Sequence, residues 1–304
     1  MNDRIAVILT CFNRREKTVA CLERLYAAQG AYNAKCQDGK GVALKVFLTD
    51  DGCTDGTADA VRDKFKGHDI CILEGTGSLY WAGGMRFAWK EALKEHDSWN
   101  FYLLLNDDTL VMDNVFDELF EAHEFALKNY GKTGLYSGVT CATGDPSTIT
   151  YSGDKTTVTG RWMRLDPNGE PQLVDQTNAN VLMVAKDVVD EIGIFYEGYI
   201  HSAADWDYSI LARKAGRPAL ITSHVCGECD FDHTPDVEVM QKLAAMTLAE
   251  RRKYFKNPVN HDYDHMVFVR RHSPLKLPVT WLLRNIRCYC PQLYIRINKM
   301  RGIY

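Results

Sequence analysis

The sequence predicts an α/β protein: a mixed, mainly parallel sheet flanked by helices, followed by a helical C-terminal extension. Three observations carry this. Apolar runs at residues 4–10, 43–48, 70–73 and 101–105 alternate with segments of helical character. Those runs are apolar throughout rather than alternating, as in strands buried on both faces of a parallel sheet. Three of them stop abruptly at polar clusters: Asn13, then Asp50-Asp51, then Asn106-Asp107-Asp108. In a doubly wound sheet such strand ends converge on one edge, where ligands bind.

The elements follow in order. The first strand, 4–10, ends at Cys11-Phe12-Asn13-Arg14, and Val19, Leu22, Leu25 and Tyr26 place an apolar stripe on the next helix. Residues 30–43 read as loop. The second strand, 43–48, runs into Asp50-Asp51-Gly52, and Asp55 is placed to cap a helix over 58–65. After the third strand, 70–73, the Gly75-to-Gly84 stretch reads as a glycine-rich aromatic loop opening onto a helix over 85–94. Glycines there let a backbone approach a ligand, and a helix N-terminus favours phosphate, although a plain turn has the same composition. No GxGxxG follows the first strand, so the fingerprint of dinucleotide binding is absent. The fourth strand, 101–105, ends at Asp107-Asp108, with a helix over about 113–129 behind it. Adjacent carboxylates at the end of a buried strand repel, and desolvation adds to the cost. A hard divalent cation such as Mg²⁺ or Mn²⁺ relieves both, whereas the bland alternative is a solvated acidic turn.

Residues 135–184 are rich in Thr, Ser, Gly and Tyr, which suggests hairpins and a more open part of the sheet. Strand-like residues 180–185, a short helix over 186–192 stopped by Gly193, and a helix running to Gly216 come next. Asp205 stands at the start of that last helix, as a functional acid or a cap. One more strand, 218–222, and a long amphipathic helix over about 237–256 complete the pattern.

Composition is that of an ordinary globular chain of 304 residues with net charge −4. No run of about 18 apolar residues exists to span a membrane. The apolar N-terminal stretch is too short for a secretory signal, and ten scattered cysteines suit thiols in a reducing compartment, so a cytoplasmic location is expected. Charge is uneven. From residue 265 onward there are eight basic and no acidic residues, against 28 basic and 40 acidic before it. Aromatic and aliphatic residues interleave with arginines around Trp281, Arg284, Arg287, Tyr294 and Arg296. That composition suits the interface of an anionic membrane; a solvated helix face is the alternative. Nucleic acid ranks last, because no nucleic-acid-binding motif accompanies the charge.

The series ILTCFNR, LTDDGCTDGT, LLLNDDTLV and ADWDYSILARKAG resembles the family 2 inverting glycosyltransferases of the GT-A fold, of the type that builds bacterial polysaccharide and lipopolysaccharide. The likeness runs from about residue 4 to 233. It implies a GT-A domain over 1–235, with a nucleotide-binding half (1–130) and an acceptor half (131–235), ahead of a basic helical extension over 236–304. It also implies metal-dependent transfer of a sugar from a nucleotide diphosphate, UDP or dTDP, to an acceptor hydroxyl of a glycan or lipid-linked saccharide. By the same resemblance Thr10 and Phe12 border the base, Asp51 hydrogen-bonds it, and Gly83-Gly84 pass the donor. Asp107 takes the ribose side, Asp108 the Mg²⁺ or Mn²⁺, and Asp205 acts as general base. Three positions depart from the family's habit: Asn106 in the first place of the acidic motif, Ala204 where Glu is common, and Leu211 where Arg is common.

The segment from His224 through Cys226 and Cys229 to His233 resembles a cramped zinc motif, but lacks a second pair at a recognisable distance. A single histidine lent to the cation, with His233 preferred over His224, is the sharper expectation. Two other classes compete with a glycosyltransferase. A nucleotidyltransferase would normally carry a glycine-rich basic motif after its first strand, and CFNRRE does not supply one. A sugar-nucleotide-binding module without catalysis would have no need of both Asp108 and Asp205.

Overall fold

The computed structural model describes residues 2–36, 41–157, 162–231, 234–300 and 302–303. It divides into two units: Met1–Tyr196 with Ala204–Phe231, and Glu197–Ala203 with Asp232–Tyr304.

The first unit is a layered α/β body. Strands β1 (Asp3–Cys11), β2 (Val42–Asp50), β3 (Ile70–Glu74) and β4 (Phe101–Leu105) alternate with α1 (Arg15–Lys35), α2 (Thr57–Lys64) and α3 (Tyr80–Ala92), and α4 (Val115–Tyr130) follows the short β5 (Leu110–Val111). Next come β6 (Leu135–Ala142), β7 (Asp145–Tyr151), β8 (Gly153–Thr156), β9 (Trp162–Leu165), β10 (Gln172–Leu173), β11 (Gln176–Thr177) and β12 (Val181–Ala185). Helices α5 (Lys186–Ile192) and α6 (Ala204–Lys214) and strand β13 (Ala219–Glu228) complete the unit. The main sheet runs β10-β13-β6-β12-β4-β1-β2-β3, with β5 on β13 and β7 on β6, and β11-β8-β9 form a small second sheet.

β1 pairs in parallel with both β2 and β4, so the chain leaves all three strands at one edge. β12 enters antiparallel between β4 and β6. Every residue of β4 and of β12 is buried, which accounts for their unbroken apolar sequences. Trp89 of α3 packs on Tyr102, Phe195 and Tyr208, with ring centroids 5.5–5.7 Å apart. That cluster ties α3, β4 and α6 to one another.

The second unit holds α7 (Asp236–Ala245), α8 (Leu248–Tyr254), α9 (Asp262–His272), α10 (Leu277–Tyr289) and α11 (Pro291–Met300). Its core gathers Met240, Leu243, Phe255 and Cys288. Asp264, fully buried on α9, accepts the N–H groups of Ile200, His201 and Ser202 at 2.8 Å each.

Three element boundaries correct the sequence reading. α1 continues to Lys35 through residues expected as loop. The single helix expected over about 237–256 is two, because Thr247 and Glu250 form a capping box that starts a new helix. The glycine-rich stretch is shorter than expected: α3 begins at Tyr80, so Gly83 and Gly84 lie inside a helix rather than in a loop.

Candidate active site

β1, β2 and β4 deliver their polar ends side by side, as the strand alternation requires. Thr10 is buried near the end of β1, and Phe12, just beyond it, leaves 55% of its surface exposed. Asn13 adopts φ 50°, the left-handed region that Asn tolerates better than most residues, and its Oδ1 accepts from Thr54 N–H at 2.7 Å. This contact fastens the β1 turn to the β2 turn.

Asp51 is buried and fully engaged. Its Oδ1 accepts from Gly77 N–H (2.8 Å), and its Oδ2 from Leu79 N–H (2.9 Å) and Tyr80 N–H (3.0 Å). It therefore shapes the loop that leads into α3, a task invisible in the sequence. Asp50 Oδ1 takes the Cys53 N–H at 2.6 Å and closes the β2 turn. Asp55 accepts from Thr57 N–H at 3.1 Å and Arg15 N–H at 2.9 Å, which ties the two turns together. The residue that caps α2 is Gly56, at φ 78° and without a side-chain cap, so the capping role read for Asp55 is corrected.

Gly84 has a packing reason. A Cβ there would fall 2.1 Å from Thr10 Oγ1 and 2.8 Å from Thr10 Cβ, and its carbonyl accepts from Thr49 Oγ1 at 2.9 Å. Close approach of α3 to β1 and β2 is what the glycine permits. Gly84→Ala is expected to destabilise the fold by about 1–3 kcal/mol, because the added methyl meets the backbone-anchored Cβ of Thr10 as well as its hydroxyl. Urea unfolding of that variant is the measurement, and unchanged stability would refute the packing reason.

The acidic motif sits at the end of β4. Asp107 is buried and Asp108 nearly so, and Arg14 Nη1 bridges them, 3.2 Å from Asp107 Oδ1 and 2.7 Å from Asp108 Oδ2. Thr18 Oγ1 adds a contact to Asp107 Oδ2 at 3.4 Å. Burial pushes the Asp107 carboxyl up to about 6, with Arg14 pulling against it and Asp108 adding to it. Asn106 is held by Trp81 Nε1 (2.7 Å to Oδ1), and its backbone N–H donates to Asn180 O at 3.1 Å.

That last bond links the acids to Asp205. Val181 lies opposite Leu105, so the chain enters β12 beside the point where it leaves β4. Two residues before Val181, Ala179 N–H donates to Asp205 Oδ2 at 3.1 Å, and Trp206 N–H donates to Oδ1 at 2.9 Å. The buried Tyr208 ring and its 2.8 Å bond to Gly193 O fix α6 behind it. Burial pushes the Asp205 carboxyl up to about 6, and the two backbone N–H groups restore only part of the loss. A carboxyl held there can take a proton near neutral pH.

Of the histidines weighed above, His224 is turned to Glu118, with Nδ1 2.9 Å from Oε1, and Cys226 and Cys229 are buried thiols. His233 lies outside the described residues. Among the described residues no group of three or more His, Cys, Asp or Glu side chains gathers to hold a metal ion. The carboxylates of Asp107 and Asp108 nonetheless fit a hard divalent cation, which binds through one or two carboxylates and takes the rest of its shell from substrate phosphates and water. Arg14, Thr18 and Trp81 were not singled out from the sequence. The signal for Arg14 was its place, directly after a strand whose neighbours end in acids.

A model of the family described as glycosyl transferase family 2 matches residues 6–163, more than half of the chain. The chain belongs to that family. It is a glycosyltransferase of the GT-A fold, with a helical C-terminal region. Among solved structures this family 2 enzyme is similar to the mannosyltransferase PcManGT of Pyrobaculum calidifontis, solved with GDP-Man and Mn²⁺. The two share 16% identity at TM-score 0.51, over 100% of this chain and 81% of the other. It is also similar to S. aureus TarS 1–349, at 12% identity and TM-score 0.52 over 94% and 78% of the two chains. The same TarS fragment solved with UDP-GlcNAc matches at 13% identity and TM-score 0.52, over 94% and 79%. At such identities the likeness is one of fold. No curated protein matches the family 2 chain.

Proposed function

We propose that this chain transfers a sugar from a nucleotide diphosphate, UDP or dTDP, to the hydroxyl of a glycan or lipid-linked acceptor, inverting the anomeric centre, with Mg²⁺ or Mn²⁺ as cofactor. The observation that carries the reading is the chain of contacts Asp108–Arg14–Asp107, Asn106–Asn180 and Ala179–Asp205, which sets an acidic, cation-suited pair and a basic carboxylate on one sheet edge. Two structural neighbours were solved with nucleotide sugars, GDP-Man and UDP-GlcNAc, which supports a donor of that class here.

Each residue then has a task. Asp108 holds the cation, with Asp107 beside it toward the ribose. A bound cation would supply countercharge to the diphosphate as the glycosidic bond breaks. Phe12 offers its exposed ring to the base at the end of β1, with Thr10 behind it, and Asp51 fixes the loop into α3 against which the base would rest, the loop in which the Gly83-Gly84 helix begins. Asp205 accepts the proton of the incoming hydroxyl, and the hydroxyl oxygen forms the new bond to the anomeric carbon as the nucleotide diphosphate leaves. One carboxylate suffices because the leaving group needs no protonation, unlike in glycoside hydrolases with their carboxylate pairs. His233 remains the proposed histidine ligand. Incubating the protein with UDP- and dTDP-sugars and Mn²⁺, without acceptor, tests the reading: slow release of free sugar and nucleoside diphosphate is expected. Release of pyrophosphate from a sugar phosphate and a nucleoside triphosphate would instead identify a nucleotidyltransferase.

The acid-free end of the chain gives the enzyme a proposed place at the inner face of the membrane. No helix among the described residues is long and apolar enough to cross a bilayer. On α10 and the turn before it, Leu275 is 95% exposed and Val279, Trp281 and Leu282 are more than half exposed, while Lys276, Arg296 and Lys299 are exposed nearby in sequence. Apolar side chains flanked by cations suit an anionic interface. Arg284 and Arg287 are spent internally, on Asp262 and Asp236. The protein is expected to sediment with liposomes containing phosphatidylglycerol, to stay in solution with neutral ones, and to be released by salt. Binding indifferent to lipid charge and salt would sink the membrane proposal.

A further inference from the structure

The position of Arg14 has a consequence for the cation. β1 and β4 run parallel with Ile8 opposite Leu104, so the residues just beyond them must emerge together. Arg14 is the residue immediately before α1, and its backbone carbonyl accepts from Thr18 Oγ1 at 3.0 Å, which anchors the base of the side chain. A single nitrogen, Nη1, reaches both carboxylates. The guanidinium side chain is 45% exposed, against 8% for Asp107 and 15% for Asp108, so it lies toward solvent and the carboxylates lie behind it.

We propose that Arg14 is the resident counter-ion of the Asp107–Asp108 pair and competes with the divalent cation for Asp108. The inference rests on the reading of Asp108 as the cation's ligand. Charge-assisted bonds of this kind are the strong ones, and a cation seeking Asp108 Oδ2 meets an oxygen already held at 2.7 Å by a positive group. Two like charges cannot share that oxygen at low cost, so the cation enters as Arg14 leaves. The released guanidinium is a planar fork suited to phosphate oxygens, and it stands at the edge where the donor's diphosphate is proposed to lie. The arginine would thus neutralise half of the pair's charge without a metal and hold the affinity for a lone cation down.

The experiment is titration of the full-length protein with Mn²⁺ alone, following free Mn²⁺ by electron paramagnetic resonance. Arg14→Gln, which removes the charge, is expected to bind Mn²⁺ about 10-fold more tightly than wild type, while Arg14→Lys, which keeps it, stays near wild type. Melting in EDTA and in Mn²⁺ gives a second readout. A merely structural arginine would lower both melting temperatures alike, whereas the competition predicts a larger Mn²⁺-induced rise in Arg14→Gln than in wild type. Mn²⁺ affinity in Arg14→Gln equal to or below wild type, including no detectable binding in either, overturns the inference. Asp108→Asn separates the two claims. If it binds Mn²⁺ as wild type does, the cation assignment itself falls; if it loses Mn²⁺ while Arg14→Gln gains nothing, only the competition falls.

Discussion

Asp205→Asn is expected to lower turnover by ~10² to 10⁴ while leaving donor affinity near wild type, the usual worth of a positioned general base. Asn keeps the size of the side chain but offers one oxygen where Asp205 uses two, Oδ2 for the Ala179 N–H and Oδ1 for the Trp206 N–H, so one of these two bonds is kept and the other lost. What it cannot do is take a proton. The capping alternative is weakened by geometry: Asp205 is the second residue of α6, and its carboxylate engages its immediate neighbour and Ala179 rather than the N–H groups of the following turn. Turnover of the wild type should fall as pH drops through about 6, where the carboxyl is protonated in the folded protein. The same shift fixes a sign for stability. A carboxyl whose pKa is higher folded than unfolded costs the folded state stability as pH rises from the unfolded value through about 6, and that cost is fully present at pH 7. Asp205→Asn removes that cost while giving up one backbone hydrogen bond, so its stability relative to wild type is expected to be better at pH 7 than at pH 4, as urea unfolding at the two pH values would show. A variant that turns over normally would make Asp205 structural and shift attention to Asp207.

Asp108→Ala is expected to abolish metal-dependent donor binding. The motive is its place behind Arg14 at the end of β4, next to the buried Asp107. With one carboxylate gone, Arg14 retains only Asp107, and the remaining site carries no net negative charge to draw a cation. Calorimetry with UDP and dTDP, in Mn²⁺ and in EDTA, measures it. The wild type should lose most of its affinity in EDTA, whereas the variant should bind equally weakly in both. An unchanged Mn²⁺ dependence in the variant would place the cation elsewhere.

Much of this architecture was legible in the residues because its signals are local. Unbroken apolar runs such as 101–105 mark strands buried on both faces, and their abrupt acidic ends mark the edge of the sheet. The four motifs that suggested the family lie on the elements that bring Asn13, Asp51, Asp108 and Asp205 into the first unit. What escaped depends on contacts between distant segments. Asp51 reads as a ligand-facing acid, yet its oxygens are taken by backbone N–H groups 26 to 29 residues away. Gly84 reads as loop because glycine is disfavoured in helix interiors, yet helix α3 needs it to reach Thr10. Arg14 is one of two adjacent arginines, and only the parallel register of β1 on β4 singles it out.

The most direct test of the central claim, that this edge holds a nucleotide diphosphate sugar through a divalent cation, is thermal melting of the protein against UDP-, dTDP- and GDP-sugars, each with and without Mn²⁺. A ligand that binds only the folded state stabilises it by about 2.7 kcal/mol at a hundredfold excess over its dissociation constant. A UDP- or dTDP-sugar is expected to raise the melting temperature in Mn²⁺ and to do little in EDTA. No shift with any nucleotide sugar, or a shift of the same size in EDTA, would contradict it.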